Sequence, residues 1–337
     1  MKRPLLFPLL FLVCFAALVA YLSRGKPRIL VLHSYATDFA WVKEINAGLD
    51  KALKGEYSSL RWFYLDTKHH PDEAYGRRIG AQARQFIDRW DPDVIIAFDD
   101  NAQDYVGRRY LNDPRLRIVC GGINADPARY GYDRAGNVSG ILERIPLAAA
   151  VEILGQVFPE DSRRLIHLSD ASETSRYVRD EFDLFDWKPY RLIASRLCRT
   201  FGEWQAAVRE AESSADLLLI THYHTILRGE NDPSVVPPAE VIAWTMENSK
   251  LPAIGFWTFF VEDGGSLAVA LSGQEQGEEA GRIAVRLLRT GDRRTAPPFI
   301  LSRRYVPAFS ASRAAKRGIR IPRVLEVFAA ETGHVYP

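Results

Sequence analysis

The chain has 337 residues, 47% of them apolar and 26% charged, a globular composition that excludes wholesale disorder. Lys2 and Arg3 account for the formal net charge of +2; beyond residue 23 basic and acidic residues balance at 42 each, without the basic excess of a general nucleic-acid binder. A single long apolar run, Leu5 to Leu22, excludes a multi-span membrane protein.

That run makes residues 1–23 a signal peptide or membrane anchor and not part of the fold. Ala16, Ala17 and Ala20 suit a cleaved signal, eighteen apolar residues also just span a bilayer, and Cys14 offers a lipid-attachment site flanked by bulky Val13 and Phe15. All three place the remaining chain in the periplasm or otherwise outside the cytoplasmic membrane, released or tethered by the uncleaved anchor.

Beyond the leader the pattern alternates strand and helix. Arg28–Leu32 is a continuously apolar run, as for a strand buried on both faces. A helix follows from Ala40 to Lys54, with Trp41, Ile45, Leu49 and Leu53 at spacings of four. A second strand spans Leu60–Leu65, then a polar loop with His69-His70-Pro71, a helix from Asp72 to Trp90, and a strand Asp93–Phe98 ending on Asp99-Asp100-Asn101. Leu116–Cys120 is a further strand, closed by Gly121-Gly122.

The pattern then restarts. Helices are expected over 145–157, 173–185, 201–213, 238–249 and 274–288, and strands over 164–168, 191–197, 216–221, 253–257 and 267–271. Cys120 and Cys198 end two of the β-like runs; one disulfide is compatible with an oxidising compartment, but two buried free thiols fit the positions better. Two βα series without a disordered linker predict an α/β protein of two Rossmann-like parallel-sheet lobes, with ligand-facing loops at the carboxyl ends of the strands.

Those strand ends carry hydroxyl, amide, carboxylate and aromatic groups: His33-Ser34-Tyr35, Asp99-Asp100-Asn101, Asn124, Ser169-Asp170, Thr221-His222-Tyr223-His224 and Trp257-Thr258-Phe259-Phe260. Such a set suits a cleft that stacks a small ligand on rings and orients it with a few hydrogen bonds. Singly, Asp99, Ser169 and Thr221 also read as helix caps.

Here the sequence resembles a known family. Ile29-Leu30-Val31-Leu32-His33-Ser34-Tyr35, followed by Trp41 and Ile45-Asn46-Ala47-Gly48-Leu49, looks like the start of ABC-transporter substrate-binding proteins with the type I periplasmic-binding-protein fold, a fold also used by extracytoplasmic sensor domains. Asp93–Ala102 is similar to the third-strand motif, Gly121-Gly122-Ile123-Asn124 to the segment after it, and Gly273–Gly277 with Arg286–Leu288 to the late lobe-spanning helix. The resemblance covers roughly residues 28–295.

It implies two lobes joined by a hinge of three crossovers: residues 28–140 plus 268–292 as lobe one, and 141–267 plus 293–337 as lobe two. It also implies ligand contacts from His33, Ser34, Tyr35, Trp41, Asp99, Asn101, Asn124, His222, Tyr223 and Trp257. Of the adjacent Asp99 and Asp100, one would face the pocket and the other would cap a helix. The ligand would be an amino acid, a nucleobase-like compound or a sugar, bound by a monomer.

Catalytic readings find little support. No dinucleotide or P-loop glycine motif is present, and Gly136-Asn137-Val138-Ser139-Gly140 places its serine one residue away from a nucleophile elbow. His222 and His224 alternate like metal ligands but have no adjacent Cys or carboxylate to complete a set. No enzyme activity, metal or cofactor is expected. Two readings stay open: a solute-binding component serving a membrane permease, favoured by the lack of an output domain before residue 337, and a membrane-anchored sensor serving a kinase or cyclase.

Overall fold

A computed structural model describes residues 6–158, 163–290 and 297–337, without the side chains of residues 6 and 17–24. A helix, α1 (Leu6–Arg24), leads in, and its described side chains, Phe7 to Ala16, are exposed. Among the described residues no helix is long and apolar enough to cross a membrane. The ends of the expected leader run lie outside the described side chains.

The first βα series comprises β1 (Arg28–His33), α2 (Ala40–Leu53), β2 (Ser59–Tyr64), α3 (Glu73–Trp90), β3 (Val94–Phe98), α4 (Asp99–Tyr105), β4 (Arg117–Ile123) and β5 (Val138–Leu142). The second begins with α5 (Leu147–Val157), β6 (Arg164–Asp170), α6 (Glu173–Leu184), β7 (Arg191–Cys198), α7 (Phe201–Ser214) and β8 (Leu217–Ile220). A hairpin, β9 (Leu227–Gly229) and β10 (Asp232–Val235), precedes α8 (Pro238–Asn248), β11 (Ala253–Gly255), α9 (Phe259–Glu262) and β12 (Leu267–Leu271). The chain ends with α10 (Gly273–Thr290), β13 (Ile300–Leu301), β14 (Tyr305–Ser310), α11 (Ala311–Lys316), α12 (Arg323–Thr332) and β15 (Val335–Tyr336).

Two sheets result, in the orders β13-β5-β4-β3-β1-β2 and β15-β14-β12-β11-β8-β6-β7. All pairings in both are parallel except β12 with β14. The fold is therefore two parallel-sheet lobes, and the chain passes between the sheets after β5, after β12 and after β13. Two boundaries differ from expectation. Residues 268–271 of β12, placed in lobe one from the sequence, lie inside the second sheet between β11 and β14, and Ile300–Leu301, placed in lobe two, edges the first. Apolar pattern marks a strand but not its partner, because partner choice is tertiary.

The buried runs behave as their pattern dictates. Along β1, Ile29 and Val31 face the large shared core, while Leu30 and Leu32 pack with Ala83 and Ile87 of α3 on the opposite face. Helix α10 returns to lobe one and packs on α2 at backbone distance. A Cβ on Gly48 would lie 2.1 Å from the Gln274 carbonyl oxygen, and one on Gly277 would lie 1.9 Å from that of Ile45. Only glycine permits this approach. Side-chain caps fix other helix starts: Asp72 accepts from Tyr75 N at 2.7 Å, and Thr200 with Glu203 forms a capping box on α7. Cys120 and Cys198 are buried free thiols, so no disulfide links them.

Candidate functional site

Loops at the carboxyl ends of both sheets meet around a pocket whose empty space, open solvent included, is about 230 Å³. Five rings line it: Tyr35, Phe39 and Trp41 from the first lobe, Trp257 and Phe259 from the second. The polar lining is Lys68, Asp99, Asn124, Glu143, Thr174 and His222.

Local backbone explains why Asp99 points inward. It opens α4 in a left-handed conformation, φ 65°, which is rare for a residue bearing a Cβ and marks backbone held against its preference. Ser34 anchors this turn, donating to the Phe98 carbonyl at 2.7 Å and accepting from Ala102 N at 2.8 Å. Gly122 leaves room beside it, since a Cβ there would sit 2.8 Å from Asp99 Oδ1. The Trp41 indole N–H donates to Asp99 Oδ1 at 2.9 Å, while Oδ2 has no partner. Burial, together with the charge of Asp100, pushes the Asp99 carboxyl well above the usual range.

Glu143, one residue past β5, mirrors this arrangement. It is 2% exposed and accepts from the Trp257 indole N–H at 3.1 Å. Burial, with the charges of Asp99 and Asp100, raises its carboxyl well above the usual range. Lys68 is 7% exposed, and its ammonium lies 5.0 Å over the Tyr35 ring. No hydrogen bond or ion pair of that ammonium occurs among the described residues. His222 sits 4.5 Å from the Trp257 ring with Nδ1 unpartnered, and burial lowers its pKa to about 3, so it is neutral. Asn124 Oδ1 is also unpartnered.

The pocket thus gathers Tyr35, Trp41, Asp99, Asn124, His222 and Trp257 of the ten residues named from the sequence, and not the other four. His33 is buried in a ring stack with Trp62, Tyr64 and Phe98, its Nε2 2.8 Å from Asn46 Oδ1. Ser34 is spent on the backbone bonds above. The Asn101 amide donates to Thr67 Oγ1 at 2.7 Å, and the Tyr223 hydroxyl donates to Asp263 at 2.7 Å. Phe39, Lys68, Glu143, Thr174 and Phe259 were not named. Phe259 stood beside Trp257 in a strand-end motif, so its aromatic neighbourhood was a usable signal; Lys68 and Glu143 stood in no motif.

Of the adjacent carboxylates Asp99 faces the pocket, while Asp100 accepts from Asn124 N, Ala125 N and the Tyr130 hydroxyl, and from Thr174 Oγ1 at 3.5 Å. Its role is to hold the loop after β4 against the second lobe, not to cap a helix. The side-chain cap of α6 is Ser172; Ser169 instead accepts from Thr221 at 2.8 Å. The lobes also meet where Arg129 pairs with Glu173, and where Phe39 lies against His224 (4.7 Å) and Phe259 (5.5 Å). The cleft is closed.

No family model and no curated protein matches the chain. Solved structures do. A domain from Streptococcus pneumonia described as an ABC domain in complex with L-Trp is 17% identical, covering 93% of this chain and 100% of its own, with a TM-score of 0.70. A substrate-binding protein with adhesive properties from Clostridium difficile, in its ligand-free open form, is 15% identical over 88% of this chain and 96% of its own, TM-score 0.62. A chain from a complex of the TorS sensor domain with TorT is 11% identical over 84% of this chain and 92% of its own, TM-score 0.53. Identities this low establish the fold, that of type I periplasmic binding proteins, which the sequence resemblance implied.

Proposed function

We propose that this chain is a non-enzymatic, extracytoplasmic solute-binding protein that closes on one small molecule between its lobes and presents it to an ABC-type importer. The observation that carries this reading is a ring-lined pocket built from both lobes in which Asp99 Oδ2, Asn124 Oδ1 and His222 Nδ1 have no partner. Buried polar atoms are normally satisfied, so three orphans converging on one cavity point to a ligand that completes them. Closure then creates the surface a permease reads. The relatives of known structure that bind L-Trp or substrates support the class and not the ligand.

A thermal-shift panel of amino acids, nucleobases and sugars on the full chain in mild detergent tests it. A ligand at a hundredfold excess over its Kd stabilises the folded state by about 2.7 kcal/mol. Tyr35→Leu and Trp257→Leu should abolish the shift with circular dichroism unchanged; normal binding by both folded variants would move the ligand elsewhere. The second reading, a sensor subunit, is favoured by the apolar helix α1 ending three residues before β1 and by the TorS–TorT likeness. Co-purification with a kinase or cyclase in place of a permease would decide for it.

A further inference from the structure

Away from the cleft, the overall charge balance conceals a local excess. Residues 303–325 carry seven basic residues and no acidic one. Arg304 pairs with Glu278, while Arg313 and Arg317 donate to backbone carbonyls of the second lobe, among them Val261 O at 2.8 Å and Leu251 O at 2.9 Å. The other cations of α11 and the turn after it point to solvent. Lys316 and Arg320 are exposed and have no ion pair among the described residues, and Arg323, at the start of α12, pairs with Glu326 at 2.9 Å.

Helix α12 then shows apolar groups on two sides. Leu325 and Ala329, four residues apart, are buried in the shared core where the helix packs on β14. Val324, Val327 and Phe328 face outward, 65%, 48% and 41% exposed, at the i, i+3, i+4 spacing that puts them on one side. Among the described residues beyond α1, no other helix exposes more than one large apolar side chain. Exposed Glu331 closes the stripe one turn later.

We propose that α12 docks on the surface of an anionic lipid bilayer, with Val324, Val327 and Phe328 entering the headgroup layer and Lys316, Arg320 and Arg323 meeting lipid phosphates. A short apolar stripe rimmed by long basic side chains is the pattern of a helix that lies in a membrane interface and does not cross it. The charge excess selects an anionic surface. Three partly exposed side chains fall well short of the ~800 Å² per partner that a stable protein interface buries, which makes a second copy of the chain the weaker occupant. A bilayer needs no such area, because attraction of each cation to the surface adds to shallow insertion. The apolar α1, whose described side chains are also exposed and which ends three residues before β1, would bring the chain to the same surface. The inference is independent of which solute the cleft takes.

Hydrogen exchange read by mass spectrometry tests this on the full chain, in mild detergent and in vesicles of phosphatidylcholine alone or mixed with phosphatidylglycerol. Because α1 can hold the chain on either vesicle, the readout is local: exchange in peptides covering residues 311–332. These amides should exchange at least about fivefold more slowly on phosphatidylglycerol vesicles than in the other two settings, the contribution of one basic side chain near an anionic surface. Added salt should remove the difference. Lys316→Gln combined with Arg320→Gln should abolish it, as should Val324→Ser combined with Phe328→Ser. All four side chains are exposed, so circular dichroism and the urea midpoint in detergent should not change. Should the apolar variant fail to fold, the charge variant carries the test. Equal exchange on both vesicles, or slowing that survives Lys316→Gln with Arg320→Gln, would overturn the proposal. Slowing that follows protein density and not lipid charge would also overturn it, and would assign the face to a second copy. Each of these results leaves solute binding intact, which the thermal-shift panel reads separately.

Discussion

Glu44 offers a direct test of how the lobes are held. It projects from α2 in the first lobe, accepts from Gly273 N at 3.0 Å at the start of α10, and accepts from the Thr258 hydroxyl in the second lobe, beside Trp257. Burial is the main cause that raises its pKa from 4.5 to about 7, reinforced by the charge of Glu262. Between these values the folded protein keeps a proton that the unfolded chain has lost, so the group's contribution to stability falls as pH rises from 4.5 to 7. At 1.36 kcal/mol per unit the full cost above pH 7 is about 3 kcal/mol, a ceiling because one edge of the residue reaches solvent.

Glu44→Gln isolates this effect, since the amide oxygen can still accept from Gly273 N and the amide nitrogen can donate to Thr258. Urea unfolding at pH 5, 6, 7 and 8 should show the variant close to wild type at pH 5 and progressively more stable than it toward pH 8, with an unchanged m value. A stability difference that stays flat with pH, or that grows as pH falls, would refute the assignment of a buried, ionising Glu44 between the lobes.

Two further predictions concern the framework. Gly277→Ala places a methyl group 1.9 Å from the Ile45 carbonyl oxygen, so α10 must move off α2. The strain of about 1–3 kcal/mol exceeds the roughly 1 kcal/mol that alanine gains over glycine in a helix, so the urea midpoint should fall. An unchanged or higher midpoint would show that the helices do not touch there. Cys120 and Cys198 are buried and unpaired, and burial pushes the Cys198 thiol up to about 12. A thiol reagent should label neither residue in the native protein and both in guanidinium without added reductant; label appearing only after reduction would reveal a disulfide.

The βα alternation was legible because strands buried on both faces are written as continuous apolar runs, as in Ile29–Leu32 and Val94–Phe98. The pocket was legible only at strand ends with aromatic or amide side chains. His33 misled because strand alternation turned its ring into the stack on β1, away from the cleft, and the next residue, Ser34, went to backbone bonds. Lys68 and Glu143 escaped notice because a lone lysine after β2 and a lone glutamate after β5 have no local pattern; what distinguishes them is burial, a property of the assembled fold. Adjacency alone likewise could not sort Asp99 from Asp100. The positive φ at Asp99 did, by aiming one side chain into the pocket and leaving the other to the loop after β4.

The placement of the acidic groups ties ligand to hinge. Glu143 follows β5, where the chain first leaves the first sheet, and Glu44 binds the first residue of α10, where the chain comes back. Each carboxyl is raised by burial, and each donor that engages it from the second lobe, Trp257 or Thr258, belongs to the same two-residue segment. Glu143 therefore holds Trp257, whose neighbour Thr258 is already fastened to the first lobe through Glu44. Moving the lobes apart must break both contacts together, because a segment two residues long cannot follow one carboxylate and abandon the other. Contact with Trp257 in the pocket therefore bears on closure at the crossover itself, without needing a contact to every wall of the pocket.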